Sequence, residues 1–416
     1  MKVYKFGGAS VKDASSILNV TKILKSASTD GLILVVSAMG KITNELETLT
    51  EHYFHGEKSV SEVFGRVKKF HLDVAKELFD DTNPGAYDRI NSLFSLLEIV
   101  LLSNPTSDYD QQYDEIVSYG ELLSSAIISS FLEAKGFAIL WKDARTFIKT
   151  DSCYREGKVD WELSSGLIRK TFSNEKQLYI TQGFIGAGPE NKTTTLGREG
   201  SDYTAAILAH CSNSDSLTIW KDVPGVLNAD PKWFDQTVLI PYLSYQDAIE
   251  LAYYGATVIH PKTIKPLQNK NIPLHVRSFL KPQEPGTLIL NKPTPLPVPC
   301  FIFKINQVLI SIFPKDFSFI AEENLSGIFH LFAGYKLKIN SMQNSAISFT
   351  VCLDYNEQKI ATLVAELQKE YRVRYNTGLE LATIRNYDQA TIDRVCNGKN
   401  VLLEVKSRNT VQLVLR

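Results

Sequence analysis

The spacing of the first two apolar runs limits the fold most. KVYKF (2–6) and GLILVVSA (31–38) are short, branched and bounded by glycine or small residues, as buried strands are. SVKDASSILNVTKILKSA (10–27) between them has a helical pattern. A strand, a glycine-rich turn, a helix and a second strand make a β-α-β unit, so the two strands run parallel. Strands resume at FAILW (137–141), QLYITQGF (177–184) and SLTIW (216–220). Residues 58–79, 84–102 and 107–135 carry helical periodicity and read as a helical excursion over about 58–135. LSYQDAIELAYYG (243–255) reads as a helix with Ser244 at its N-cap and Gly255 at its end. Strands alternating with helices imply a mostly parallel sheet covered on both faces, an α/β class.

The pattern changes at LKPQEPGTLILNKPTPLPVP (280–299), where prolines cluster and a linker or boundary is expected. Beyond it, 307–376 reads as strand, helix, two strands, helix and strand, a small β-α-β-β-α-β sandwich. A shorter copy follows over 377–416 without its closing helix and strand. VPCFIFKIN (298–306) is placed to return as that missing strand, which inserts the first small domain within the second.

Several function classes are excluded on composition. Net charge is −1, so no electrostatic case exists for a nucleic-acid or membrane partner. No apolar run approaches ~20 residues, and the N-terminus lacks a signal-peptide pattern. Five scattered cysteines without a CxxC pair argue against zinc and a disulfide framework and suit a reducing cytosol. No resident metal site is expected.

No Walker or protein-kinase signature is present; smaller pieces stand in their place. KFGGAS (5–10) puts Lys5 at a strand end and Gly7, Gly8 and Ser10 at a helix start, where open backbone N–H groups meet phosphate oxygens. Taken alone, Gly-Gly after a strand is more often a plain tight turn. VSAMGKITNEL (36–46) is a second strand-to-loop junction offering Thr43 and Asn44. SYGELLSSAII (118–128) opens a helix with Glu121 in its first turn, either a dipole-favourable acid or a carboxylate for an ammonium group. ITQGFIGAGPENKTTTLGREGSDYTAAILA (180–209) is densest: Arg198 offers a planar fork for a carboxylate, and Ser201 and Asp202 open a helix. In IWKDVPGVLNADPK (219–232), Trp220 and Val226 are placed to flank a purine, and Lys221, Asp230 and Lys232 to face phosphates or a metal. His260 reads as structural. Open α/β sheets bind ligands at the carboxyl ends of their strands, where these pieces fall.

In this order the pieces resemble the aspartokinases of the amino acid kinase family. The matching stretches are KFGGAS, VVSAMGKITNEL, YGELLSS, ITQGFIGAGPENKTTTLGREGSDYTAA, WKDVPGVLNADP and GATVIHPKTIKPLQNKNIPLHVRSF, within about residues 2–290. The C-terminal tandem looks like the paired ACT domains of that family, with NSMQNSAISFTVCLD its best local match. The resemblance implies a three-layer kinase domain over 1–290, a first ACT-like domain over 307–376, and a second over 298–306 plus 377–416. It also implies a cytoplasmic, monofunctional enzyme without a fused homoserine dehydrogenase.

The implied reaction is phosphorylation of L-aspartate by ATP at its side-chain carboxylate, opening lysine, threonine and methionine biosynthesis. A kinase for another small acidic substrate and a catalytically weak amino-acid sensor are the alternatives. By the resemblance, Lys5 and Asp202 are catalytic, Thr43, Glu121, Arg198 and Ser201 bind the amino acid, and Gly7, Gly8, Ser10, Lys221, Asp222, Asp230 and Lys232 serve the nucleotide. Mg²⁺ arrives with ATP. Many relatives have lysine at the position of Thr257, so Lys221 or Lys262 is the expected substitute. Asn340, Ser341 and Ser345 mark a regulatory pocket for an amino-acid effector, with dimerisation through the ACT-like domains. Lysine-inhibited relatives usually have aspartate where Asn340 stands.

Overall fold

The computed structural model describes residues 1–79, 84–256, 258–292, 295–316 and 318–416. Two compact units emerge. The first comprises Met1–Val226, Pro241–Ile249 and Val258–Thr294; the second comprises Leu227–Ile240, Glu250–Thr257 and Pro295–Arg416.

The main sheet is built from β1 (Lys2–Phe6), β2 (Leu32–Val36), β3 (Ile139–Lys142), β4 (Leu178–Gln182), β7 (Ser216–Lys221), β8 (Tyr242–Ser244), β9 (Leu274–Ser278) and β10 (Thr287–Leu290). A two-stranded ribbon of β5 (Ile185–Ala187) and β6 (Thr193–Thr195) stands apart. The sheet order is β3-β4-β2-β1-β7-β9-β10-β8, and β9–β10 is its antiparallel pair. All five residues of β2 and of β4 are buried, which requires cover on both faces. The chain moves from β1 outward through β2, and reaches β7 on the other side of β1 only after β3 and β4. β1 is thus the switch point of the sheet, and the crevice at its carboxyl end is the favoured ligand position.

Among the described residues ten helices accompany this sheet in chain order: α1 (Ala14–Lys25), α2 (Ile42–Phe54), α3 (Val60–Leu78), α4 (Pro84–Leu102), α5 (Tyr109–Val117), α6 (Tyr119–Ala134), α7 (Trp161–Thr171), α8 (Gly200–Cys211), α9 (Tyr245–Tyr254) and α10 (Pro261–Lys270). α1 shows why they form. Asp13 caps it by accepting from Ser16 N–H at 2.8 Å, a contact worth about 1 kcal/mol. Ile17, Val20, Thr21 and Leu24 then repeat at helical spacing and are buried. α6 is buried along most of its length and packs on β2, β3 and β4; α8 packs on β1, β2 and β7.

Three sequence readings need adjustment. The proline-rich stretch 280–299 is not all linker, because Thr287–Leu290 is proline-free and pairs with β9 and β8. Gly286 turns the chain into it at φ 71°, and a Cβ there would fall 2.1 Å from the Val276 carbonyl oxygen. The periodic run 107–135 divides into α5 and α6 at Ser118. The polar loop at 36–46 becomes helical from Ile42.

The second unit carries a six-stranded antiparallel sheet: β11 (Cys300–Pro314), β12 (Ile339–Ser345), β13 (Ser348–Asp354), β14 (Tyr371–Arg385), β15 (Val401–Lys406) and β16 (Thr410–Leu415). Its order is β12-β13-β11-β14-β16-β15. β11 and β14 are each 15 residues long and pair along their length, with register shifts around Gln307. The two ACT-like halves therefore share their central strands. α11 (Glu322–Gly334) and α12 (Glu357–Glu370) cover one half over Val308, Ile310, Phe349 and Val351; α13 (Gln389–Cys396) covers the other over Phe301, Ile384 and Val411.

Candidate active site

The site forms where four turns converge at the carboxyl end of β1. Lys5 lies opposite Ile219 and Phe6 opposite Trp220 in the parallel β1–β7 register, so Lys5 and Lys221 emerge from neighbouring strand ends. Between them sits Asp202 in the first turn of α8, fully buried. Its Oδ1 is 2.5 Å from Lys5 Nζ and its Oδ2 is 3.2 Å from Lys221 Nζ. Burial alone would raise the Asp202 pKa, but the Lys5 and Lys221 ammonium groups outweigh it and hold the carboxyl below the ordinary range.

The glycine turn closes over this pair. Gly8–Ser10 is a single 3₁₀ turn, and Ser10 Oγ donates to the Trp220 carbonyl at 3.3 Å, tying the turn to β7. Gly40 N–H donates to the Gly8 carbonyl at 3.1 Å, tying it to the loop after β2. A Cβ on Gly8 would lie 2.9 Å from the Ala38 carbonyl oxygen and 3.0 Å from that of Gly40, so no side chain fits.

Glu121 approaches from the start of α6. Its Oε1 accepts from Ala38 N–H at 3.2 Å, while its buried Oε2 has no hydrogen-bond partner among the described residues. Burial pushes the carboxyl up to about 8, against the pull of the Ala38 N–H and Lys5. A buried carboxylate oxygen without a donor is costly alone and well suited to an incoming ammonium.

Lys5, Gly8, Thr43, Glu121, Arg198, Ser201 and Asp202 together line one cleft of about 690 Å³. Arg198 is exposed and forms no ion pair with any described residue. The turn that presents it bends through Gly197 at φ 74° and Glu199 at φ 55°. Ser201 packs against Gly183, where a Cβ would fall 2.4 Å from Ser201 Cβ.

Other expected residues lie elsewhere. Gly7 precedes the cleft turn and Ser10 is buried beneath it. Asp222 is exposed and outside the cleft lining. Asp230 and Lys232 belong to the second unit, where Asp230 Oδ1 accepts from Lys232 N–H at 2.9 Å. Lys262 lines a separate groove with Trp161, Tyr203 and His210. Thr257 is outside the described residues. Trp220 corrects the purine expectation: its indole is buried and stacked on Phe6 at 6.1 Å, so it is core. Val226 is buried as well. His260 caps α10 by accepting from Lys262 N–H at 3.2 Å, a structural role. In the second unit, Asn340 is buried: Oδ1 accepts from Lys304 Nζ at 2.7 Å, and Nδ2 donates to Gln307 and Asp354 at 2.9 Å each. Ser341 is buried, and Ser345 bonds Ser348 at 2.7 Å.

Tyr113, Arg155, Glu156, Phe184 and Thr195 also line the cleft and were not singled out in the sequence. Only Thr195 had a signal, within the three-threonine run before Arg198.

The sequence matches the amino acid kinase family over residues 1–278. The chain belongs to the amino acid kinase family. Within it, the chain is 29% identical to lysine-sensitive aspartokinase 3 of Escherichia coli K12 over 415 residues, covering 96% of this chain and 89% of that protein. It is 27% identical over 383 residues to the bifunctional aspartokinase/homoserine dehydrogenase 2 of Zea mays chloroplasts, covering 89% of this chain. It spans 41% of that relative and 32% of the homologous bifunctional enzyme 1 of Arabidopsis thaliana. The fold superimposes on the crystal structure of E. coli aspartokinase III in complex with aspartate and ADP with a TM-score of 0.84 at 26% identity, covering all of this chain and 96% of that one. This amino acid kinase domain and its ACT-like sheet thus share both layers of architecture with that enzyme. No described helix is long and apolar enough to cross a membrane.

Proposed function

We propose that the protein is an aspartate kinase that transfers the terminal phosphoryl group of ATP to the side-chain carboxylate of L-aspartate, giving 4-phospho-L-aspartate and ADP. The observation that carries this reading is the meeting, in one cleft, of Lys5 and Asp202, the closed glycine turn, the unpartnered Glu121 oxygen and Arg198, with Lys221 paired to Asp202 from the neighbouring strand end. An amino acid with two carboxylates and one ammonium is complementary to that set. The relatives named as aspartokinases, and the neighbour that binds aspartate and ADP, support the same substrates.

In this scheme Glu121 binds the α-ammonium and Arg198 the α-carboxylate in a bidentate fork. Thr43 and Ser201 orient the side chain toward the phosphoryl group. Backbone N–H groups of the Gly7–Ser10 turn approach the phosphates, and Lys5 and Lys221 balance the charge that spreads over the transferring group. Asp222 follows Lys221 in the nucleotide segment. Asp202 is no general base, because the attacking carboxylate is already ionised at neutral pH. It holds two lysines at fixed positions, so they need no reorganisation during transfer. Alignment and electrostatics then supply the catalysis, with no covalent intermediate. Mg²⁺ enters as part of the MgATP substrate.

The enzyme would act in the cytoplasm, opening lysine, threonine and methionine biosynthesis. The ACT-like unit would carry dimerisation and amino-acid regulation, with Asn340, Ser341 and Ser345 at the regulatory face. The test is coupled ADP release with aspartate, with glutamate and with neither. Aspartate-dependent release supports the reading. Preference for glutamate would point to another acidic substrate, and silence in all three would leave an amino-acid sensor.

A further inference from the structure

Arg155 enters the cleft from a segment that has no part in the scheme for phosphoryl transfer. Its backbone sits in the left-handed region at φ 62°, a conformation that costs free energy for a residue bearing Cβ. Phe184 and Glu199, at φ 69° and 55°, share that conformation and also line the cleft. Such strain persists only where neighbouring contacts enforce it, and here the enforcing residue is visible. Asp114 in α5 is fully buried and spends both oxygens on the cleft wall. Oδ2 accepts from Arg155 N–H at 2.9 Å and from Thr195 N–H at 2.8 Å, and Oδ1 accepts from Thr195 Oγ1 at 2.7 Å.

The Arg155 side chain is aimed rather than loose. Its guanidinium stacks on the Tyr113 ring, 4.1 Å from the centroid, and touches the exposed Asp110 only at 3.4 Å. That single long contact leaves most of its donor fork available. The segment also abuts the Arg198 turn: a Cβ on Gly197 would fall 3.1 Å from the Arg155 carbonyl oxygen and 3.3 Å from Glu156 Cγ. Gly157 N–H donates to the Thr195 carbonyl at 2.8 Å. Arg155 therefore flanks the Arg198 turn of the cleft.

We infer that Arg155 is a further substrate-contacting residue, a second guanidinium for the α-carboxylate of the amino acid beside Arg198, and that Asp114 is the residue positioning it. This rests on the aspartate kinase reading. The Asp114 carboxyl is pushed up to about 6 by burial, against the Arg155 and Thr195 hydrogen bonds and the Arg155 charge. The charged and titratable groups facing it are Arg155, Tyr113 and Tyr154.

The decisive variant is Arg155→Gly, because glycine accepts the left-handed backbone freely. Its thermal midpoint should be unchanged or higher, while the KM for aspartate rises about tenfold or more and the KM for ATP stays put. Arg155→Lys should recover part of the loss. Asp114→Asn keeps the shape and lets the Thr195 hydroxyl turn to accept, but removes the ionisation. As pH falls through about 6 the aspartate KM should climb more steeply in the parent than in Asp114→Asn, the Glu121 protonation being common to both. An unchanged aspartate KM in an active Arg155→Gly enzyme overturns the inference alone, as does an equal rise for both substrates. A parent protein that neither binds nor phosphorylates aspartate overturns the kinase reading and this inference with it.

Discussion

Lys5 Nζ and Asp202 Oδ1 meet at 2.5 Å with both side chains almost wholly removed from solvent. A buried carboxylate costs several kcal/mol to desolvate, and a single cation often fails to repay it. Here Lys221 adds a second cation at 3.2 Å from the other oxygen. Two ammonium groups thus stand fixed beside the glycine turn, where a phosphoryl group would sit, with Glu199 Oε2 a further 3.9 Å from Lys221. The arrangement is expensive as a stabilising device and sensible as a preorganised electrostatic one.

Replacing Lys5 tests that reading. Lys5→Met should lower turnover by ~10³-fold or more, the scale of losing a preorganised charge. The protein should still fold, because Lys221 remains on Asp202, and the stability loss should stay below the roughly 3–5 kcal/mol of a fully stranded buried charge. Near-normal turnover at saturating ATP would show that Lys5 is not the phosphoryl-facing cation.

Arg198→Lys retains the charge and loses the fork. The KM for aspartate should rise while that for ATP changes little. Steady-state kinetics in both substrates decide it: an equal rise would indicate a collapsed cleft instead of a lost carboxylate contact.

Where legibility ended is clear from particular residues. β1, β2, β4 and β7 were readable because their burial is dictated by composition alone, and the glycine turn because its residue types are so restricted. Lys5, Glu121, Arg198 and Asp202 stood out by residue type and position, the resemblance added their roles, and the structure brings all four to one cleft. Arg155 and Asp114 did not, since their role depends on α5 meeting β6 across 81 residues of sequence, a contact with no local pattern. Trp220 misled for a related reason. A tryptophan at a strand end suits a purine or a core equally, and only the neighbouring Phe6 decides between them. The strand Thr287–Leu290 was hidden because flanking prolines dominated its window.

Gly8 and Gly7 should behave differently despite their adjacency. A methyl on Gly8 meets two backbone carbonyls at 2.9 and 3.0 Å, whereas one on Gly7 meets no backbone atom and only the tip of the Lys5 side chain, Nζ at 3.3 Å. Gly8→Ala should force the two strand-end loops apart, lowering both the thermal midpoint and turnover. Gly7→Ala should fold like the parent. Comparable melting curves for both variants would show that the loops are not packed as described.

Glu121 makes stability depend on pH in a defined direction. Its folded pKa of about 8 lies above its ordinary value of 4.5, so between these limits the folded state holds a proton that the unfolded state has lost. Stability therefore falls as pH rises through that window. Between pH 6.5 and 8, above the Asp114 and His71 values of about 6 and 4, the loss should be about 1–2 kcal/mol. Glu121→Gln should flatten that slope, and saturating aspartate should oppose it by supplying an ammonium. Melting curves across pH test this, and an identical slope in the Gln variant would remove Glu121 as its source.

The proposed amino-acid regulation turns on how Asn340 is used. In lysine-inhibited aspartokinases an acid at this position would be expected to hold an effector ammonium. Here the side chain is already committed: Lys304 Nζ sits 2.7 Å from Oδ1, and Nδ2 donates to Gln307 and to the Asp354 carboxylate. An internal ammonium thus occupies the acceptor that an effector would need, and the charge that would attract one is absent. An effector inhibits only if it binds the inactive arrangement better than the active one, and ~1–3 kcal/mol of such coupling is typical. With its ammonium contact already taken, lysine should inhibit weakly or not at all. Restoring the acid should not suffice, because Asn340→Asp would lose its donor to Asp354 and set two carboxylates against each other around Lys304. The variant should be less stable than the parent and gain a lysine response only when Lys304→Met is added to vacate the site. Activity measured against lysine, threonine and methionine titrations of the parent, Asn340→Asp and the double variant tests the chain of argument. Potent lysine inhibition of the unaltered protein at micromolar concentration would mean that other groups hold the effector and that the Asn340–Lys304 pair is only a structural contact.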